Sequence, residues 1–181
     1  MASLRSFNVE GYKKEKPPKD NSLTTLKEIH DLSKINRDEK LVKKRDDIGK
    51  SFEEITSKHR LPFPKDTIDK LAEVSGEKIL KLKHHFGRPR PKHLSKSLDV
   101  DLKDIKMASM KSPSYPSGHS AQGVLIGKYL GDLYPTHKDE FDSMGKEISY
   151  SRRVGGAHYK SDSTFGEKIG SDMWNHIKGK V

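Results

Sequence analysis

The chain has 181 residues, enough for one domain around a single buried core. Only 31% of its residues are apolar, and 36 lysines and arginines against 26 aspartates and glutamates leave a formal charge of +10. No apolar run approaches the roughly 18 residues that a membrane span requires, and the absence of cysteine excludes a disulfide framework, a thiol nucleophile and a thiolate metal site.

Residues 1–21 carry Lys13, Lys14, Lys16, Pro17, Pro18 and Lys19 among few apolar groups, which predicts an extended, poorly ordered or draped arm ahead of a helical domain over 22–181. No apolar stretch follows Met1-Ala2-Ser3-Leu4, so no secretory signal is visible and a cytoplasmic location is expected. Over 22–35, Leu23, Leu26, Ile29 and Leu32 fall roughly on one helical face, and 38–59 reads as one long, highly charged helix. Pro62 and Pro64 break that element. Ile68, Leu71, Ala72, Ile79 and Leu82 then keep helical spacing from about 66 to 85, which puts Lys83 near a helix end. Four prolines between 87 and 116 predict a long loop, with a short helical turn near 102–107. Helices are expected over 117–134, ended by Pro135, and over 138–154, ended by Gly155-Gly156. Ser161 or Asp162 is placed to cap a last helix whose core face carries Phe165, Ile169, Met173, Trp174 and Ile177. No segment alternates like a strand, so the fold class is all-α, a single-domain helical bundle.

Three short segments concentrate the chemistry. The first joins Lys83 to Arg90-Pro91, the second is Pro116-Ser117-Gly118-His119, and the third runs from Ser151-Arg152 to His158 and Asp162. A lysine and two arginines are suited to neutralise the oxygens of a phosphate ester. A glycine beside a serine lets backbone amides approach those oxygens, and two histidines can divide the roles of nucleophile and acid. Taken singly, each segment has a plainer reading: Lys83 and Arg90 as solvated charges, Pro116–His119 as a turn and helix cap. His158 and Asp162 share the spacing of two metal ligands on a helix, but no obvious third ligand completes the set, and no metal is expected. His84, His85 and His93 read as exposed or locally bonded residues at a basic helix end, and Arg153 as a solvent charge.

Together the segments closely resemble the signature of the phosphatidic acid phosphatase type 2 superfamily, which includes soluble class A acid phosphatases and vanadium haloperoxidases. That pattern is lysine, six residues, Arg-Pro; then Pro-Ser-Gly-His; then Ser-Arg, five residues, histidine, three residues and aspartate. All eleven fixed positions are present between residues 83 and 162. One register is double, because Lys81 with Arg88-Pro89 satisfies the same spacing; the Arg-Pro-Arg-Pro ending favours Lys83 with Arg90. Lys160 departs from the proline common in relatives between the aromatic residue and Ser-Asp.

The resemblance implies the helical bundle of the acid phosphatase and haloperoxidase type. It further implies that His158 attacks phosphorus and becomes a phosphohistidine, that Asp162 fixes its tautomer, and that His119 serves as acid and then base. Lys83, Arg90, Arg152, the Ser117 hydroxyl and the Gly118 amide would bind the phosphoryl oxygens. The expected function is metal-independent hydrolysis of soluble small-molecule phosphate monoesters, with no cofactor; phosphate, or vanadate as its analogue, fits the same pocket. The competing readings are a vanadate-dependent haloperoxidase and a non-catalytic basic module binding phosphate or nucleic acid. The short chain disfavours the first. A complete nucleophile, acid and carboxylate, without interleaved aromatic and basic residues, disfavours the second, so no stable nucleic-acid partner is expected.

Overall fold

The computed structural model describes residues 2–180, and among them no strand is present: the protein is all-α. Polar caps decide where several of the helices begin. Ser22 accepts the Thr25 amide at the start of α2 (Leu23–Ser33), and Asp38 accepts that of Leu41 at the start of α3 (Glu39–Asp46). These follow α1, the short N-terminal helix Ala2–Arg5.

The expected helix over 38–59 is two helices. Asp47 leaves the helical region at φ −89°, ψ 101°, and its carboxylate accepts the Lys50 amide to start α4 (Ile48–Lys58). A short acidic side chain offers the backbone this alternative to the helical bond, and the break it makes puts Asp46 at a corner.

Helix α5 (Lys65–Phe86) buries Ile68, Leu71, Val74, Ile79 and Leu82 along one stripe, and ends at Gly87, whose φ of +61° suits glycine. The stretch 87–116 is more structured than its prolines suggest. Pro91 opens α6 (Pro91–Ser97), and a 3₁₀ turn spans Ala108–Lys111. The turn expected near 102–107 is not formed. Leu102 is buried there and the Ile105 amide bonds to the Gly155 carbonyl, so this backbone runs extended.

The bundle is centred on α7 (Gly118–Leu133), which packs most extensively on α8 (Lys138–Val154) and α9 (Lys160–Ile177), and then on α5. Close approach explains two glycines: a Cβ on Gly145 would lie 2.6 Å from the Gly123 carbonyl, and one on Gly170 would lie 2.2 Å from that of Ala121. Around these contacts Leu125, Ile126, Leu130, Phe141, Ile148, Ile169, Met173 and Ile177 are buried, each worth about 1.5–3 kcal/mol relative to exposure. Phe165 and Trp174 join the same core.

The basic N-terminal segment drapes over the bundle and is anchored there. Leu4, Phe7 and Val9 enter the core, a 3₁₀ turn spans Glu10–Lys14, and the Lys78 ammonium donates to the carbonyls of Arg5 and Phe7. Three well-spaced apolar side chains therefore order a stretch whose overall composition favours solvent. None of the described helices is long and apolar enough to cross a membrane.

Candidate active site

The three sequence segments meet where α5 ends and α7 and α9 begin. The apolar stripe of α5 carries Lys83 into the interior, where its ammonium donates to the Pro113 carbonyl at 2.6 Å. Gly87 then turns the chain into Arg88-Pro89-Arg90-Pro91. The Arg90 guanidinium is held by three carbonyls, those of Ser109, Ser112 and Ala157, and its Nη1 lies 3.0 Å from His158 Nε2.

That last contact fixes the tautomer of His158. Arginine has only donors, so Nε2 must present its lone pair, and the ring proton sits on Nδ1, 3.1 Å from Asp162 Oδ2. Burial, followed by the positive charges of Arg90, Lys83, His119 and Arg152, holds the His158 imidazole well below its ordinary range. The ring is therefore neutral at neutral pH. A neutral imidazole with an unprotonated Nε2 among cations has the chemistry to act as a nucleophile toward an anion.

Asp162 is fully buried and faces donors only. Oδ1 takes Arg88 Nη1 at 2.7 Å, while Oδ2 takes the Tyr159 amide and His158 Nδ1. Burial pushes its carboxyl up, and the Arg88 ion pair opposes the shift; a carboxylate satisfies every one of these donors, whereas an acid would not. Arg88 is itself clamped behind the site. Its guanidinium stacks 3.8 Å over the Tyr159 ring and reaches Glu28, which also accepts the Ser161 amide and hydroxyl. The double register is thus separated in space: Lys83 and Arg90 are turned toward His158, Arg88 buttresses Asp162 from the far side, and Lys81 is exposed.

Ser117 caps α7 and its amide donates to the Asp162 carbonyl, which ties the second segment to the third. Its Oγ accepts from the Ser120 amide and hydroxyl, leaving its own proton available to an anion beside the Gly118 and His119 amides of the first turn. At the end of α8 the turn at Gly156, φ +70°, brings His158 back toward α7; a side chain there would meet the Lys103 carbonyl at 2.8 Å.

Arg152 and His119 are joined through a residue the sequence did not single out. Asp46, at the α3–α4 corner, accepts Arg152 Nη1 at 2.8 Å, while His119 Nε2 lies 3.0 Å from its carbonyl and 3.4 Å from its carboxylate. The contacts from His119 and then Arg152 hold the Asp46 carboxyl at about 2 against the opposite pull of burial, so it is ionised. Arg152 also donates to the Ser151 hydroxyl and the Val42 carbonyl, so its guanidinium points toward the corner and makes no hydrogen bond to His158. An Asp-Asp pair ahead of Ile48-Gly49 is a legible cap signal, but nothing in the spacing links residue 46 to residue 152.

The cationic groups show the strain of their confinement. Burial, then the neighbouring Arg90 charge, pushes the Lys83 ammonium down to about 7, and burial brings Arg90 down to about 10. The opposite charge of an oxyanion beside them would reverse both shifts.

A family model described as the PAP2 superfamily matches residues 72–174, which holds all three segments. The chain belongs to the PAP2 superfamily. Within it the chain is similar to the non-specific acid phosphatases of Salmonella typhimurium, 39% identical over 61 residues (34% of this chain, 24% of that protein), and of Providencia stuartii, 34% identical over 80 residues (44% and 32%). It is also similar to an acid phosphatase of Zymomonas mobilis, 28% identical over 103 residues, 57% of this chain and 39% of that one. The chain thus spans about a quarter to two fifths of the length of these relatives.

Proposed function

We propose that the protein is a phosphatase that hydrolyses small-molecule phosphate monoesters through a phosphohistidine at His158, without a metal ion. The observation that carries this reading is the orientation of His158: Nδ1–H on Asp162, and a bare Nε2 facing Arg90 with Lys83 and Arg152 contributing to the same positive field. In the first step the phosphoryl group displaces Arg90 from Nε2, the N–P bond forms, and the P–O bond to the leaving group breaks. His119 delivers the proton to that oxygen. In the second step His119 removes a proton from water, whose oxygen attacks phosphorus as the N–P bond breaks. The cations Lys83, Arg90 and Arg152, with the Ser117 hydroxyl and the Gly118 amide, balance the equatorial charge in both steps. The names of the relatives support phosphate ester hydrolysis over vanadate-dependent halide oxidation.

Rapid acid-free quenching with a phosphorus-labelled aryl phosphate tests the proposal. The expected result is a base-stable, acid-labile phosphoenzyme on His158, formed and turned over in excess chelator and absent in His158→Ala. Unimpaired turnover by His158→Ala overturns it.

A further inference from the structure

Away from the three motif segments, three side chains, from the end of α4, the α7–α8 turn and the first turn of α8, converge on one point of the surface. His59 caps the C-terminus of α4, its backbone amide bonded to the Ile55 carbonyl. His137 closes the 3₁₀ turn Pro135–His137 and directly precedes α8, whose first turn carries Glu140. His59 Nε2 lies 2.7 Å from Glu140 Oε1 and His137 Nδ1 lies 3.7 Å from the same oxygen. The two imidazoles stack, ring centroids 3.8 Å apart at 26°, so their edges face the carboxylate together.

From this arrangement we infer that His59, His137 and Glu140 form a binding site for a first-row divalent cation of the Zn²⁺ class. Two imidazoles and one carboxylate are a three-ligand set that suits such an ion, with water in the fourth position. Bonds of about 2.0–2.2 Å in a tetrahedron require ligand atoms about 3.3–3.5 Å apart. The three atoms here already lie within 4.8 Å of one another, so binding requires them to draw in by at most about 1.5 Å and the two imidazoles to leave their stack and splay apart around the ion. The side chains are 22%, 24% and 38% exposed, open enough for that adjustment and for an ion to enter.

The backbone beneath them is already fixed. The Tyr134 hydroxyl bonds to the Pro62 carbonyl, and the His137 amide to that of Tyr134, pinning the α7–α8 turn to the segment after α4. An ordinary ion pair accounts for only part of the cluster. It explains His59, and Lys58 at 2.9 Å from Oε2, but it gives His137 no hydrogen bond to the carboxylate. A cation gives all three groups a partner, while Lys58, 65% exposed, swings into water. Helix α4 has 11 residues, so about 16 Å of helix separates this site from the Asp46 corner, which makes the expected role structural, a staple between α4 and α8.

The test is calorimetric titration of the chelator-treated full chain with ZnCl₂, paired with thermal unfolding. Wild type is expected to take one tight equivalent and to gain about 5–10 °C in Tm at Zn²⁺ near 100 times Kd. His59→Gln and Glu140→Gln are each expected to lose both effects while unfolding, without metal, within a few degrees of wild type. His85→Gln, which alters a histidine outside the cluster, should retain both. A Co²⁺-loaded wild type should show the visible bands of a four-coordinate nitrogen and oxygen site, also absent from His59→Gln. Failure of wild type to bind, or an undiminished equivalent in His59→Gln or Glu140→Gln, overturns the inference. Either result leaves the phosphatase reading untouched.

Discussion

Arg88 offers the sharpest test of how the site is built, because it sits beside a near-identical motif position and yet faces the other way. Replacing it with methionine keeps the bulk over the Tyr159 ring and deletes the charge that Asp162 Oδ1 meets at 2.7 Å. Both partners are buried completely, so water cannot compensate the orphaned carboxylate, and removal of one partner from such a pair costs about 3–5 kcal/mol. At about 2–4 °C per kcal/mol for a chain of this size, Tm should fall by roughly 6–20 °C. The chemistry should change as well. Without Arg88 the burial that already pushes Asp162 upward is less opposed, so the carboxyl protonates at higher pH, and an acid no longer holds the His158 proton on Nδ1. The acid limb of kcat against pH should therefore move upward in Arg88→Met, with KM for an aryl phosphate changed less than kcat. Circular dichroism melts and a pH series of initial rates measure the two effects. A variant that melts within 1 °C of wild type with an unmoved acid limb would refute the buttress, and a rise in KM alone would mean that Arg88 binds phosphate directly.

Four further outcomes follow from the same geometry. Lys83→Gln should lose at least ~100-fold in kcat/KM, consistent with one charge-stabilising donor, whereas Lys81→Gln should stay near wild type; equal losses would dissolve the register assignment. Because the folded Lys83 titrates near 7, well below its unfolded value, the native state binds fewer protons than the unfolded chain between about pH 7 and 10.5, and stability from this group rises with pH across that window. Lys83→Met should accordingly gain most in Tm relative to wild type at pH 6 and least at pH 9, as paired melts will show. Asp46, depressed to about 2, contributes stability that is present above pH 4 and lost as pH falls from about 4 to 2; Asp46→Asn should flatten that part of the melting profile and lower kcat ~10–100-fold by loosening His119, the acid–base group of the proposed reaction. Gly170→Ala places a carbon 2.2 Å from the Ala121 carbonyl, forcing α9 off α7, and should lower Tm by several degrees, in keeping with about 1–3 kcal/mol for overpacking.

The parts of this molecule that could be read from the chain are those whose information is local. Helical spacing located α2, α5, α7, α8 and α9 because each buries one stripe, and the three segments were legible because each keeps its own members within twelve consecutive residues. Asp46 was not, since its partners lie 73 and 106 residues away and only the fold sets that distance to hydrogen-bond length. The same holds for Glu28, whose carboxylate steadies both Ser161 and Arg88 from 133 and 60 residues upstream. Asp47 illustrates a different loss: in a charged run the helical pattern continues through it, and only the competition of its own carboxylate for the Lys50 amide divides the run into α3 and α4. That division is what delivers Asp46 to Arg152 and His119. A helix continuous over 38–59 would carry residue 46 past the corner, so the misread boundary and the missed site residue are one physical event. It follows that Asp47→Ala, by favouring continuation of α3 into α4, should impair activity through Asp46 although Asp47 makes no hydrogen bond to the three motif segments.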